Sequence, residues 1–161
     1  MNMSSLAAAL PIDGRQSPAA LAIARGATRL LHALGYSVVS ELPLASGRRA
    51  DLVALGTDGE IWIVEVKSSV EDFRADHKWM DYRQHCDRLF FATRSEVAAG
   101  IFPADAGLIL ADAFGGSIVV EAPAHAVPAA TRRRVTLAFA RAAALRLSAL
   151  YDPQGPYDKG A

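Results

Sequence analysis

The sequence predicts an α/β fold in which a mixed β-sheet is flanked by α-helices. Short runs rich in β-branched and aromatic residues alternate with longer segments of helical periodicity. Two of these runs are joined by a hairpin signal and predict antiparallel strands, whereas a later run is reached only through a helical segment and predicts a parallel pair. A sheet with both kinds of pairing is mixed.

The composition is that of a compact globule without a charge bias. The chain has 161 residues, of which 52% are hydrophobic, which is enough for one domain with a sizeable core. Its 17 basic residues balance its 17 acidic residues, so only local clusters could bind nucleic acid. The single cysteine, Cys86, excludes an intramolecular disulfide. With no apolar run of membrane-spanning length and no secretory signal, we expect a cytoplasmic protein without membrane contact.

The ends of the chain differ in composition from its middle. Residues 1–16 are small or polar and include Pro11 and Gly14, which predicts a flexible tail. Residues 17–151 predict a single domain. The stretch 152–161 is rich in proline and glycine and predicts a second flexible tail.

The first helix is predicted to begin after Ser17 and to end at about residue 34. Ser17 is a good N-cap, Pro18 suits the first helical position, and Gly35 suits the position after the C-cap. The apolar stripe of this helix consists of Ile23, Ala27, Leu30, Leu31 and Leu34. A second face, which is either solvated or in contact with phosphate, carries Arg25, Arg29 and His32.

The first strand is predicted over residues 36–42 and carries Glu41. A loop then leads to Arg48 and Arg49 at the start of the second strand. Their guanidinium groups have the forked geometry that grips phosphate, although Arg49 could equally hold Asp51 in place.

A hairpin follows, with strands over residues 50–55 and 61–66. Its turn contains Asp58-Gly59, a strong hairpin signal. The second strand is almost continuously apolar, as is typical of a central strand covered on both faces.

Three ionisable residues, Asp51, Glu65 and Lys67, interrupt this apolar hairpin. Because side chains alternate along a strand, Glu65 and Lys67 point the same way. Asp51 joins them only if it lies opposite Glu65, which requires an odd number of loop residues, such as 57–59, or a bulge. A two-residue or four-residue turn would place Asp51 opposite Val66, on the other face.

The proximity of two carboxylates at this point needs compensation. At about 4 Å and an effective dielectric of ~20 they repel by about 4 kcal/mol. Lys67 offsets part of this, and a divalent cation such as Mg²⁺ or Mn²⁺, which prefers oxygen ligands, would offset more. The alternative is a structural ion-pair cluster in which Asp51 and Glu65 share Lys67 and Arg49.

A second helical segment is predicted over residues 68–86, capped by Ser68 or Ser69. In a continuous helix, Lys78, Tyr82 and His85 would lie one above another on a largely polar surface, either lining a groove or simply solvated. Trp79 is interpreted as a packing residue. Cys86 is interpreted as a small buried apolar residue instead of a zinc ligand.

The remaining segments complete the sheet and add a last helix. Residues 89–93 predict a strand parallel to 61–66, and 95–100 predict a short helix. Another hairpin is predicted from strands 107–111 and 117–121. A final helix, capped by Thr131, is predicted to run to about residue 150 with a core face of Val135, Ala138, Phe139, Ala142 and Ala149. Its first turn holds Arg132, Arg133 and Arg134, where the helix dipole disfavours cations, so we expect an acid, a carbonyl or a phosphate nearby.

The motif Asp51, then Glu65-Val66-Lys67 at the end of the next strand, resembles the signature of the PD-(D/E)XK nucleases. A longer pattern resembles the MmcB-like family of bacterial DNA repair proteins over roughly residues 35–150. The residues that carry this second resemblance are 48–52, 64–69, 72–79, Tyr82, 86–91 and 107–112.

These resemblances imply a restriction-endonuclease-like core with the order αβββαβ, extended by a hairpin and a C-terminal helix. They imply hydrolysis of DNA phosphodiester bonds with Mg²⁺ or Mn²⁺ held by Asp51, Glu65 and the backbone carbonyl of Val66. Lys67 would orient the attacking water or stabilise the transition state. Glu41 is the candidate for an additional acidic ligand, its alternative being an exposed glutamate at a strand end.

The residues expected to contact DNA are Arg48, Arg49, Lys78 and Tyr82. The competing hypothesis is an inactive nuclease fold that serves as a DNA-binding or adaptor module and is recruited by a repair partner, as the neutral net charge suggests. The sequence leaves open the oligomeric state and the DNA structure that is recognised.

Overall fold

The computed structural model describes residues 16–157. The predicted N-terminal tail lies outside this range except for Gln16, and so do the last four residues of the predicted C-terminal tail. The elements in chain order are α1 (Pro18–Ala33), β1 (Ser37–Pro43), β2 (Arg49–Leu55), β3 (Ile61–Val66), α2 (Val70–Ala75), a 3-10 helix (Trp79–His85), β4 (Arg88–Thr93), a 3-10 turn (Ala99–Ile101), β5 (Gly107–Ala111), β6 (Gly116–Val120) and α3 (Ala129–Tyr151).

The six strands form one mixed sheet in the order β1-β2-β3-β4-β5-β6. β3, β4 and β5 are parallel to one another, and the remaining neighbours are antiparallel. The α/β class and the order αβββαβ, followed by a hairpin and a C-terminal helix, are therefore confirmed. Within residues 16–157, none of the helices combines the length and the apolar character needed to cross a bilayer.

The hairpin between β2 and β3 has the register that the acidic residues require. Leu55 pairs with Ile61 and Leu52 with Val64, so the next pair along the strands is Asp51 and Glu65. Gly56 and Glu60 close the ladder through a backbone hydrogen bond of 2.8 Å, which leaves a loop of three residues. The loop ends at Gly59, whose φ of +86° is the left-handed conformation that this loop length uses. The odd loop and the register that a shared site of Asp51 and Glu65 requires are thus both present.

α1 covers one face of the sheet through its buried residues Ile23, Ala27 and Leu31. Ser17 caps this helix by accepting a hydrogen bond from the backbone N–H of Ala20, and Gly35 has a φ of +89°, as predicted. Leu34 was expected in the apolar stripe but is 48% exposed, because it is the C-cap residue and lies past the last turn that packs on the sheet.

α3 covers the other face through Val135 and Phe139. The sequence predicts an acid, a carbonyl or a phosphate near the arginines of its first turn, and the structure places an acid and a carbonyl there. Arg132 donates two hydrogen bonds of 2.7 Å to the Asp87 carboxylate and a third, also of 2.7 Å, to the carbonyl of Gly59. The predicted cap is wrong, since the helix begins at Ala129 after Pro128, whose fixed φ starts the helix without a side-chain hydrogen bond.

The prediction of one helix over residues 68–86 is wrong. α2 ends at Ala75, and Asp76 is extended with φ −89° and ψ 98°. The Asp76 carboxylate accepts a hydrogen bond from the backbone N–H of Lys78 and forms an ion pair with Lys67, so tertiary and local side-chain bonding displaces the helical ladder. A 3-10 helix then packs Trp79 edge-on against Phe91, which confirms the packing role of that tryptophan.

Candidate active site

The candidate site lies at the edge of the sheet where β3 ends and β2 begins, beside the N-terminal half of α1. It is a cavity of about 510 Å³. Every acidic and basic residue expected to act in catalysis or to hold a metal contributes to its wall, namely Glu41, Asp51, Glu65 and Lys67. The remaining lining includes Gln16, Ser68, Asp72, Asp76, Lys78 and Tyr82.

Asp51 and Glu65 are joined by reciprocal hydrogen bonds at the point where the β2–β3 ladder ends. The backbone N–H of Val66 donates to Asp51 Oδ2 at 2.8 Å, and the backbone N–H of Asp51 donates to Glu65 Oε1 at 3.1 Å. These side chains thereby take the place of backbone partners, which fixes one oxygen of each carboxylate. Among residues 16–157, Asp51 Oδ1 and Glu65 Oε2 have no hydrogen-bond partner and are available to a ligand.

Both carboxyl groups lie in an environment that disfavours their charged forms. Glu65 is only 3% exposed. Burial raises the pKa of Asp51 to about 6, the nearby Glu41 adds to this, and the hydrogen bond from Val66 and the charge of Lys67 oppose it. Burial, followed by the charge of Asp51, raises the pKa of Glu65 well above its usual range. Two carboxyl groups with raised pKa values in one cavity are the electrostatic mark of a site that binds a cation or a proton.

Lys67 is buried and paired with Asp76, whose Oδ2 lies 2.7 Å from Nζ. Burial alone would lower the pKa of Lys67, but the hydrogen bond and the charge of Asp76, together with Glu65, raise it, so the side chain is an ammonium ion. The backbone of Lys67 is fixed as well, because Thr93 donates to its carbonyl at 2.7 Å and its N–H donates to Ala92. A charged amine is therefore held rigidly beside the two carboxyl groups.

Glu41 occupies an unusual backbone position at the wall of the cavity. It is the only non-glycine residue with a positive φ, +51°, in the part of the chain that the structure describes. Val39 and Leu42 both face the core beneath α3 although they are three positions apart, so the alternation of faces reverses between them. Such a backbone conformation costs of order 1–3 kcal/mol and persists only where its surroundings hold it.

Two arginines and a glutamine hold this segment. Arg49 Nε lies 2.6 Å from Glu41 Oε2, and Gln16 donates to Oε1 of the same carboxylate. Arg146, on α3, donates to the carbonyls of Ser40 at 2.6 Å and of Glu41 at 3.3 Å. Glu41 is therefore a buried, paired acid at the site, and the alternative of an exposed strand-end glutamate is wrong.

The donor set fits a hard divalent cation. Asp51 and Glu65 line the same cavity, and Val66 presents its N–H, and hence its carbonyl, to the side of the strand where Asp51 lies. Within residues 16–157, no three histidine, cysteine or acidic side chains converge as a ready-made metal cage. Mg²⁺ is commonly held by only one or two carboxylates and completes its shell with waters, so this sparse set is of the right kind.

The predicted DNA contacts divide into two groups. Lys78 is exposed and lines the cavity, where it could contact a phosphate. Tyr82 is buried and donates to the carbonyl of Arg49 at 3.1 Å, so its hydroxyl braces the start of β2. Because the predicted helix is broken, the expected stacking of Lys78, Tyr82 and His85 on one helical face is wrong.

Arg48 and Arg49 are engaged in ion pairs within the chain. Arg48 Nε lies 2.9 Å from Asp81 Oδ2, on the 3-10 helix. Arg49 pairs with Glu41 and not with Asp51, so the alternative in which Arg49 holds Asp51 in an ion-pair cluster differs from the observed pairing.

The sequence analysis missed Asp76, Gln16 and Arg146 as contributors to the site. Asp76 stands nine positions after Lys67 and was hidden by the prediction of a continuous helix. The contact between Arg146 and Ser40 spans 106 positions, and no local pattern signals it.

Together, the fold and the site define an α/β protein with two carboxylates and a lysine at one edge of a mixed sheet. Residues 8–154 match the family described as DNA repair protein MmcB-like. The chain therefore belongs to the MmcB-like family of DNA repair proteins, as its sequence motifs predicted.

Solved structures were compared as well. SPO1766, a protein of unknown function from Silicibacter pomeroyi, is similar to the chain with 44% identity and a TM-score of 0.83, over 87% of this chain and 96% of that one. A repair endonuclease from Pyrococcus abyssi shows 18% identity and a TM-score of 0.32 over 44% of this chain and 34% of that one, a likeness too slight to support an argument. No curated protein matches the chain.

Proposed function

We propose that this MmcB-like protein is a metal-dependent deoxyribonuclease that hydrolyses phosphodiester bonds of DNA during repair. The observation that carries the proposal is the convergence of the Asp51 and Glu65 carboxyl groups, each with one oxygen that no residue among 16–157 bonds, beside the Lys67 ammonium group. Membership of a DNA repair family supports DNA as the substrate.

The residues have distinct chemical roles in this proposal. Asp51, Glu65 and the carbonyl of Val66 would hold Mg²⁺ or Mn²⁺, and Glu41 would join them only by giving up its ion pair with Arg49. When bound, such an ion polarises the phosphoryl oxygen and lowers the pKa of a bound water. Lys67, fixed by Asp76, orients that water or stabilises negative charge on the phosphorus oxygens in the transition state.

The energetics argue that this arrangement is maintained for a ligand. A structural ion cluster would pair each carboxylate with a cation, yet Lys67 forms its closest ion pair with Asp76, and Arg49 pairs with Glu41. The two central carboxyl groups are left with raised pKa values, which is a destabilising arrangement in the absence of a cation. Proteins tolerate such unfavourable groups mainly at functional sites.

The test is a cleavage assay with Mg²⁺ or Mn²⁺ on single-stranded, duplex, flap, gapped and uracil-bearing DNA. Asp51→Asn and Lys67→Ala are each expected to lower cleavage by at least about 100-fold, because each removes a group that acts on the reacting phosphate. Glu121→Gln, which removes an exposed carboxylate after β6, is the matched control and should cleave like the wild type. Cleavage that survives both substitutions would refute the assignment of the site.

The second candidate is a DNA-binding or adaptor module that a repair partner recruits. The pairing of Arg48 with Asp81 and of Arg49 with Glu41 favours recruitment by a partner over unaided DNA binding, because these ion pairs occupy cations that could otherwise bind phosphate. In that case, folded wild-type protein would bind Mn²⁺ weakly by calorimetry and cleave no DNA on the panel. Metal binding without cleavage would instead indicate a nuclease that needs its partner.

A further inference from the structure

The edge of the sheet that carries the acidic cavity continues past it to the β5–β6 hairpin. β3, β4 and β5 are parallel, so their carboxyl ends meet at this edge, and the turn of residues 112–115 follows β5 directly. Leu108 is level with Glu65, because both pair with Phe91, and Asp112 lies four residues further along the chain. With neighbouring strands ~4.8 Å apart and a rise of ~3.3 Å per residue, this turn lies about 15–20 Å from Glu65.

The turn presents an aromatic ring to solvent. Phe114 is 82% exposed. It forms one wall of a groove of about 500 Å³, whose other lining residues include Ser95, Asp112 and Ser117. This volume falls within the ~300–1,000 Å³ of typical small-molecule sites. The groove is separate from the acidic cavity, because the two have no lining residue in common.

The exposed ring stands on a firmly held turn. Asp112 Oδ1 accepts hydrogen bonds from the backbone N–H groups of Phe114 at 2.7 Å and of Gly115 at 3.0 Å. Arg29, on α1, donates to the carbonyl of Phe114 at 3.0 Å. Gly26 packs so closely that a Cβ there would lie 2.0 Å from the carbonyl oxygen of Asp112.

Cationic side chains accompany this ring along the edge. Arg94 follows the end of β4, between the acidic cavity and the hairpin, and its side chain is 48% exposed. Its nearest acid, Glu96, is 4.0 Å away and 71% exposed, which makes this a weak surface pair. Arg29 is exposed beside the hairpin. An aromatic face flanked by arginines is the combination that proteins use to stack nucleobases and hold the attached phosphates.

We propose that Phe114 and its groove bind an unpaired nucleobase of the same DNA strand whose phosphate lies at Asp51 and Glu65. This inference rests on the proposed function and adds its substrate class, which is DNA with a single-stranded segment. At ~3.4 Å per nucleotide of stacked DNA, a separation of about 15–20 Å corresponds to about four to six nucleotides. A base inside a duplex has both faces covered by its neighbours, so away from the ends of a duplex only an unpaired base can stack on Phe114.

The test measures binding separately from cleavage. Full-length protein carrying Asp51→Asn, with EDTA present to exclude metal, is titrated with a fluorescein-labelled 20-nucleotide single strand and with a blunt 20-base-pair duplex. Phe114→Ala is expected to weaken binding of the single strand by about 5- to 150-fold, the range observed for loss of one stacked base. Binding of the duplex should change less than twofold. Phe114→Trp should retain single-strand binding, and the indole ring of this variant should quench the fluorescence of 2-aminopurine placed in the single strand.

The matched control is Val119→Ala, which removes another exposed hydrophobic side chain, 47% exposed, from the same hairpin. It should bind both oligonucleotides like the parent. Equal binding of the single strand by Phe114→Ala and the parent overturns the inference, as does an equal loss on both oligonucleotides or an absence of binding to either.

The cleavage panel then tests the nuclease itself. Cleavage unaffected by Phe114→Ala on every DNA would refute the stacking site and leave the nuclease assignment standing. Selective single-strand binding without cleavage would support the stacking site and refute the nuclease assignment.

Discussion

Replacing Asp51 with asparagine should stabilise the metal-free protein, although it destroys the site. Asparagine has the shape of aspartate and can still accept the hydrogen bond from the Val66 N–H. It removes the negative charge whose burial, together with the charge of Glu41, raises the pKa of Asp51 to about 6. An enzyme-inactivating change that raises stability is expected where a site holds unfavourable charges.

The magnitude follows from linkage. The pKa of Asp51 rises from 3.8 to about 6, and each unit corresponds to 1.36 kcal/mol, so the charged side chain destabilises the fold by about 3 kcal/mol. The sign is that of a carboxyl group with a raised pKa. Between about pH 4 and 6 the unfolded chain releases the proton while the folded protein keeps it, so wild-type stability falls as the pH rises. The full difference is present above pH 6 and vanishes below about pH 4.

Urea denaturation at pH 8 and at pH 4 measures this difference. At pH 8, Asp51→Asn should be more stable than the wild type by about 3 kcal/mol, or about 6–12 °C in Tm for a chain of this length. At pH 4 the two should unfold alike. Glu121→Gln controls for the loss of an exposed carboxylate and should change stability by less than about 0.5 kcal/mol.

Added metal should cancel most of this advantage. Mn²⁺ at 100 times its Kd stabilises a protein that binds it by about 2.7 kcal/mol, so the wild type should gain stability and Asp51→Asn should not. The reasoning is refuted if Asp51→Asn is no more stable than the wild type at pH 8, or if its advantage is as large at pH 4.

Three further substitutions test how the site is supported. Asp76→Asn should destabilise the protein by about 2–4 kcal/mol in urea denaturation, because it leaves the buried Lys67 ammonium without its partner, and an unchanged midpoint would contradict that pairing. Arg132→Met should cost about 1–2 kcal/mol at pH 7, and this cost should shrink as the pH falls below about 4 and through the lowered pKa of Asp87, because the Arg132 hydrogen bond opposes burial and lowers that pKa; a pH-independent loss would exclude the ion pair as its cause. Gly26→Ala should lower Tm through a backbone clash with the β5–β6 hairpin, whereas Gly100→Ala, which meets nothing within 4 Å, should not; a stabilised Gly26→Ala would mean that helix propensity alone acts there.

The sequence was informative wherever a local rule decides the structure. The Asp58-Gly59 signal located the turn, and the alternation of side chains showed that Asp51 lies opposite Glu65 only with an odd loop or a bulge, the first of which the structure has. The cap at Ser17 and the left-handed Gly35 are equally local.

Local rules failed where distant side chains decide the backbone. The helix over residues 68–86 breaks because the Asp76 carboxylate bonds to Lys67 and to the Lys78 N–H, and helix propensity cannot anticipate either contact. The positive φ of Glu41 is likewise not a preference of glutamate. It depends on Arg146, which lies more than 100 positions away in the chain.

The geometry of the site depends on a helix that contributes no residue to the cavity. Near its start, α3 places Arg132 on the carbonyl of Gly59, in the turn whose three-residue length sets the register of Asp51 and Glu65. Near its end, α3 places Arg146 on the carbonyls of Ser40 and Glu41, where the β1 backbone reverses its faces. The two guanidinium groups act on opposite ends of the β1–β2–β3 unit, so the motif residues acquire their arrangement from a segment that no motif contains. A search for determinants of this site must therefore extend to α3, even though the carboxylates and the lysine belong to the hairpin.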